Sequence, residues 1–118
     1  MTTGGCLCGA VRFRISAEPI VGRTCWCRVC QYIGAGSATV NVVFPVAALN
    51  IEGELTEYVS VADSGSRMHR RFCPACGTSL FSASDTRSTT YCGIDEFTCP
   101  ASSMNRHSKP FCRAFHER

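Results

Sequence analysis

No stretch of this sequence is long and apolar enough to cross a bilayer. Apolar stretches such as Val40 to Leu49, with Asn41 inside it, fall far short of the roughly 20 residues that a spanning helix needs. The opening Met1-Thr-Thr-Gly-Gly-Cys6 has neither the basic nor the apolar region of a secretory signal, so a cytoplasmic location is expected. Repeats, charge runs and low-complexity linkers are also lacking, and nothing marks an internal boundary. With 118 residues the chain has room for one domain, spanning 1–118, and too little for two. Charged residues make up only 18% against 45% hydrophobic, which is a globular composition and excludes a disordered one.

What the chain has in excess is cysteine. Ten in 118 residues is a density at which disulfides or metal hold a small fold together. Without an export signal a reducing compartment is expected, and there clustered cysteines bind metal. The spacing agrees. Cys6-Leu-Cys8, Cys25-Trp-Cys27-Arg-Val-Cys30 and Cys73-Pro-Ala-Cys76 are short chelating clusters, and a Cys-x-Cys pair closes too small a ring for an easy disulfide.

Zinc prefers four soft ligands in a tetrahedron, and seven cysteines divide naturally into a closed site of four and a site of three with an open position. Cys25, Cys27 and Cys30 can hold a metal by themselves. Cys6 and Cys8 would join Cys73 and Cys76 in a four-cysteine zinc site that clips distant parts of the chain and so offsets a small core. An alternative closes the second site with one of Cys92, Cys99, Cys112, His69, His107 or His116, which makes both zincs structural. Taken singly, Cys92 reads as a buried strand residue, and His69, in a basic stretch, reads as solvated.

Twelve Lys and Arg against nine acidic residues give a net charge of +3. A four-thiolate zinc site contributes roughly −2 and a three-thiolate site about −1, so the loaded protein sits near neutrality. Basicity therefore gives no argument for a nucleic-acid partner.

Short alternating segments between turn residues predict an all-β domain with no long helix. Val11, Phe13 and Ile15 alternate with Arg12 and Arg14, and Thr39 to Phe44 is rich in β-branched residues. Pro45 opens a single turn over Val46 to Leu49. Asn50–Glu52 and Leu55–Val61 read as a strand pair turning at Gly53. Asp63 to Ser66 reads as a turn, Arg67–Phe72, Thr78–Ser82 and Thr89–Ile94 as strands, and the tail from Glu96 as irregular.

Together, Gly5-Cys-Leu-Cys-Gly-Ala-Val-Arg-Phe13, Cys25-Trp-Cys-Arg-Val-Cys30, Arg71-Phe-Cys-Pro-Ala-Cys-Gly-Thr-Ser-Leu-Phe81 and, more weakly, Gly93-Ile-Asp95 resemble the glutathione-dependent formaldehyde-activating enzyme family, which includes the centromere protein V branch. The resemblance covers residues 4 to 95 in order. It implies a β-tent of small antiparallel sheets around a structural zinc on Cys6, Cys8, Cys73 and Cys76. It also implies a catalytic zinc on Cys25, Cys27 and Cys30. The implied reaction is that of a carbon–sulfur lyase joining glutathione, or another thiol, to formaldehyde or another small aldehyde. Trp26 stands where relatives often have His, and beyond Asp95 the match is loose.

Zinc deprotonates a coordinated thiol, so thiol activation is the role expected of the open site. His69, His107 and water are the candidate proton donors. Arg28, Arg67, Arg70 and Arg71 are candidates for meeting the carboxylates of glutathione. A different reading is a non-enzymatic zinc-binding module that docks a macromolecular partner. The expected partners are a small-molecule thiol and aldehyde, with no membrane.

Overall fold

The computed structural model describes residues 1–93 and 97–98. Ten strands in chain order are β1 (Thr2–Gly5), β2 (Arg12–Ile15), β3 (Val21–Cys25), β4 (Thr39–Pro45), β5 (Leu49–Glu52), β6 (Thr56–Val61), β7 (Arg67–Phe72), β8 (Ser79–Ser84), β9 (Thr89–Gly93) and β10 (Phe97–Thr98). A six-residue helix α1 (Arg28–Ile33) and a 3₁₀ turn (Val46–Ala48) complete the described elements. The fold is all-β, as the alternation predicts.

The strands form two antiparallel sheets. The smaller runs β10-β1-β2-β5 and the larger β3-β4-β9-β8-β7-β6. β2 has the period-two burial of a strand with one face inward: Phe13 and Ile15 are buried while Arg12 and Arg14 are exposed. In β4 three consecutive residues, Val42, Val43 and Phe44, are buried. Consecutive strand residues point to opposite faces, so β4 is covered on both. Pro45 ends β4, where its missing N–H costs no ladder bond, and the 3₁₀ turn begins at the next residue.

The sheets meet at an aromatic pair. Phe13 on β2 and Phe81 on β8 lie edge to face, with centroids 5.0 Å apart and planes at 71°, a favoured aromatic geometry. Val11, Ile15, Phe44, Leu80, Cys73 and Cys92 complete the buried cluster around them.

Two expectations from the sequence are corrected. Asn50–Glu52 does not pair with the strand after it. β5 instead pairs with β2, matching Ile51 to Phe13 and Leu49 to Ile15, while β6 pairs with β7 in the other sheet. The chain changes sheet at Gly53, whose φ is +103° and where a Cβ would lie 2.3 Å from the Ala10 carbonyl oxygen, so only glycine fits. The Gly53 turn thus separates the sheets rather than joining a hairpin. In the tail, Phe97–Thr98 is a strand rather than irregular, held by β1 through Thr3 and Gly4. The remainder of the tail, with Cys99, His107, Cys112 and His116, lies outside the described residues, as do Ile94 and Asp95.

Candidate metal centres

Cys6 and Cys8 follow β1 in the smaller sheet, and Cys73 and Cys76 follow β7 in the larger. Their four sulfur atoms all lie within 4.8 Å of one another. Cys6 and Cys8 are separated by 3.5 Å. A tetrahedron of thiolates at zinc–sulfur distance has edges of about 3.8 Å, so this donor set fits a zinc-sized ion.

Backbone geometry builds the cluster. The Cys6 N–H bonds to the Val11 carbonyl (3.1 Å) and the Gly9 N–H to the Cys6 carbonyl (3.1 Å), which folds the first loop back on itself. The Val11 N–H then points at the Cys6 sulfur, 3.2 Å away. In the second loop the Cys73 N–H bonds to the Thr78 carbonyl (3.0 Å), and the Gly77 N–H bonds to the Cys73 carbonyl (2.9 Å). Gly77 takes the positive φ of +75° that closes this turn without side-chain strain.

Thr78 is a site residue that spacing alone does not single out. Its hydroxyl accepts the Leu7 N–H at 3.2 Å and lies 3.0 Å from the Cys76 sulfur. The single hydroxyl proton is thus available to Cys76, and the residue ties the two loops together. Hydrogen bonds from Thr78, side chain and backbone, draw the Cys76 thiol down to about 5. Cys8 goes the other way, to about 11: the Ala10 backbone favours its thiolate, but the neighbouring Cys6 and burial outweigh that. Burial disfavours the Cys6 thiolate, yet its hydrogen bonds, led by the Val11 N–H, lower it overall. Four sulfurs this close cannot all ionise unless a cation sits among them.

The second cluster sits at an edge of the larger sheet. Cys25 ends β3, Cys27 caps α1, and Cys30 lies in its first turn. Their sulfurs also lie within 4.8 Å of one another. The Cys30 N–H bonds to the Cys27 sulfur at 3.4 Å, and hydrogen bonds from Cys30 lower the Cys27 thiol. Burial, joined by its two thiol neighbours, pushes Cys30 up to about 11 despite help from Thr39. Cys27 is exposed and the other two are half-buried. The site is open to solvent.

Among the described residues no fourth His, Cys, Asp or Glu joins this trio. Cys92 is fully buried in β9. Trp26 is 64% exposed, and its carbonyl accepts the Gln31 side-chain amide at 2.7 Å. The Arg28 guanidinium stacks over the Tyr32 ring at 5.1 Å. It is the one candidate arginine that stands within the cluster.

His69 is not simply solvated. Its Nδ1 is 2.7 Å from a Glu57 carboxylate oxygen, and its Nε2 contacts the Asp85 carboxylate. Arg71 Nε donates to the other Glu57 oxygen at 3.0 Å, and Arg70 donates to the Ser60 hydroxyl. Hydrogen bonds to Glu57 first and Asp85 second raise the His69 pKa. The sheet order sets β7, which carries His69, Arg67, Arg70 and Arg71, four strands away from β3. With both ring nitrogens engaged there, His69 is no proton donor for the three-cysteine cluster.

Comparison with known proteins follows the same lines. The family model described as glutathione-dependent formaldehyde-activating enzyme matches residues 1–115. A protein of Halomonas elongata, provisionally named as a glutathione-dependent formaldehyde-activating enzyme, is 34% identical over 83 residues, 66% of this chain. That match spans 53%, about half, of the relative's length. Among solved structures, a Rhodobacter sphaeroides protein determined as a structural-genomics target superposes with a TM-score of 0.64 at 19% identity. It covers 91% of this chain and 94% of its own, a likeness of fold.

Proposed function

The chain belongs to the glutathione-dependent formaldehyde-activating enzyme family, and from that premise we propose that it joins a thiol such as glutathione to formaldehyde or another small aldehyde. The observation that carries this reading is the solvent-open trio of Cys25, Cys27 and Cys30, with no fourth described ligand within the same reach. These three cysteines would hold a catalytic zinc, and Cys6, Cys8, Cys73 and Cys76 a structural one, in a single zinc-binding domain. Zinc in the open site would supply a cation that favours the thiolate form of an incoming thiol at neutral pH.

The protein's own residues would bind and orient. Cys27, exposed at the cap of α1, leaves one side of the trio accessible to a substrate. Arg28, beside the trio, would meet one carboxylate of the thiol substrate. Trp26, exposed on the same loop, would limit what approaches. In the reaction the substrate sulfur forms a bond to the aldehyde carbon, the carbonyl π pair moves to oxygen, and that oxygen takes a proton. Solvent is the proton source best matched to so open a site, because His69 is committed elsewhere. The product is S-hydroxymethylglutathione when the substrates are glutathione and formaldehyde.

The test is zinc content followed by X-ray absorption at the zinc edge during a glutathione titration. Two zincs per chain, one gaining a sulfur ligand when thiol is added, is the expected result. Two zincs whose coordination ignores thiol would overturn the enzyme reading and favour a module that docks a macromolecular partner.

A further inference from the structure

The smaller sheet carries a cavity of about 290 Å³ on which neither cysteine cluster draws, lined among others by Thr3, Arg12, Arg14, Asn50 and Glu52. Arg12 and Arg14 alternate with buried Phe13 and Ile15, so both project from the outer face. In the ladder, Arg14 stands between Thr3 on β1 and Asn50 on β5, and Arg12 stands opposite Glu52.

A cross-strand Arg–Glu pair can close into a salt bridge. Here it does not: Arg12, Arg14 and Glu52 make no ion pair among the described residues. Arg12 lies instead across Gly5 and reaches toward Gly9. A Cβ on Gly5 would sit 2.8 Å from Arg12 Cδ and 2.9 Å from Nη1, and one on Gly9 would sit 3.2 Å from Nη2. The two glycines make room for this conformation, which leaves the Glu52 carboxylate uncompensated beside the cavity. Two guanidiniums and one carboxylate thus line one recess without neutralising one another.

We propose that this recess binds an acidic α-amino acid group. Its two carboxylates would sit on Arg12 and Arg14 and its ammonium on Glu52, with Thr3 and Asn50 supplying neutral hydrogen bonds. The charges match: the three side chains sum to one positive charge, and the ligand carries one net negative charge. Arginine suits the carboxylates because its planar fork grips both oxygens. A free acidic amino acid carries these three groups on one residue, whereas a γ-glutamyl peptide such as glutathione carries the ammonium and one carboxylate on its glutamyl end and the second carboxylate on its C-terminal residue.

Titrating the metal-loaded, ¹⁵N-labelled full chain with L-glutamate, with S-methylglutathione and with succinate tests the proposal. Saturable amide shifts centred on Thr3, Arg12, Arg14, Asn50 and Glu52 are expected for glutamate, for S-methylglutathione, or for both. Whichever binds more tightly identifies the source of the ligand. Glu52→Gln, on an exposed edge position, should weaken the amino acid by about tenfold and leave succinate unweakened, because only the ammonium contact is lost. Arg14→Gln should weaken every ligand. Absence of saturable shifts overturns the proposal, as does succinate binding as tightly as glutamate to the unmodified protein.

Discussion

The sulfur atoms of Cys8 and Cys73 lie 3.7 Å apart although 65 residues separate them in the chain. One belongs to the loop after β1 and the other to the loop after β7, so this contact joins the two sheets. Phe13 against Phe81 makes another junction between them.

The sulfur junction depends on a cation on our reading, and the first prediction follows from that. Stripping the protein with a strong chelator should lower its melting temperature by more than about 10 °C, because metal binding free energy is folding free energy in such sites. Cys73→Ser, at a fully buried position, should reproduce most of that loss without chelator. Thermal unfolding followed by circular dichroism reads both.

The three-cysteine cluster should behave differently. α1 has no buried residue, so Cys27→Ser leaves the core untouched and the melting temperature within a few degrees of the parent. Turnover of glutathione and formaldehyde should fall by on the order of 100-fold. A substitution that unfolds the protein while sparing turnover by the folded fraction would reverse the roles assigned to the two clusters.

Phe13→Ala removes an aromatic ring that touches both sheets and is 2% exposed. It should cost about 3–5 kcal/mol, measured as a shift in urea midpoint with the slope unchanged. Leu7→Ala, at a position 89% exposed, is the control and should cost almost nothing.

The Glu57–His69–Asp85 bridge should give stability a pH dependence. His69 is raised from its ordinary 6.5, so its contribution is full below that value and fades as pH rises through the raised folded pKa. Glu57 is lowered from 4.5, so its contribution is full above that value and fades as pH falls through the lowered one. Both are complete between about pH 4.5 and 6.5. His69→Gln should be less stable than the parent in that window, with the gap narrowing toward alkaline pH. Urea midpoints at several pH values check this.

How far the sequence can be read depends on where each residue's partners lie. β2 and β4 announce themselves by alternation or β-branching, because burial imposes those patterns along the chain. The cysteine groupings were equally legible, since a metal-sized site demands short spacings within each half. The partner of β5 was not, because it pairs with β2, Ile51 opposite Phe13 and Leu49 opposite Ile15, through contacts across distant sequence. β1 contains Gly4 and Gly5, and β3 is exposed over its first four residues, so neither shows a period. α1 buries nothing and offers no amphipathic stripe. His69 reads as solvated because Glu57 and Asp85 come from 12 and 16 residues away, and no local signal ties them together.

Among the described residues β3 is an outer strand of the larger sheet, and one side of its backbone has no neighbour there. Such a border is a template on which a second molecule can add its own strand. Its centre is Gly22-Arg23: the glycine has nothing within 4 Å of where a side chain would be, and the arginine puts a charge in the path of any copy approaching in register. At this border, the barrier to strand addition therefore comes from two residues that contribute nothing to the core. Replacing both with valine would leave the monomer's interior intact while turning Val21–Thr24 into a seed for fibrils.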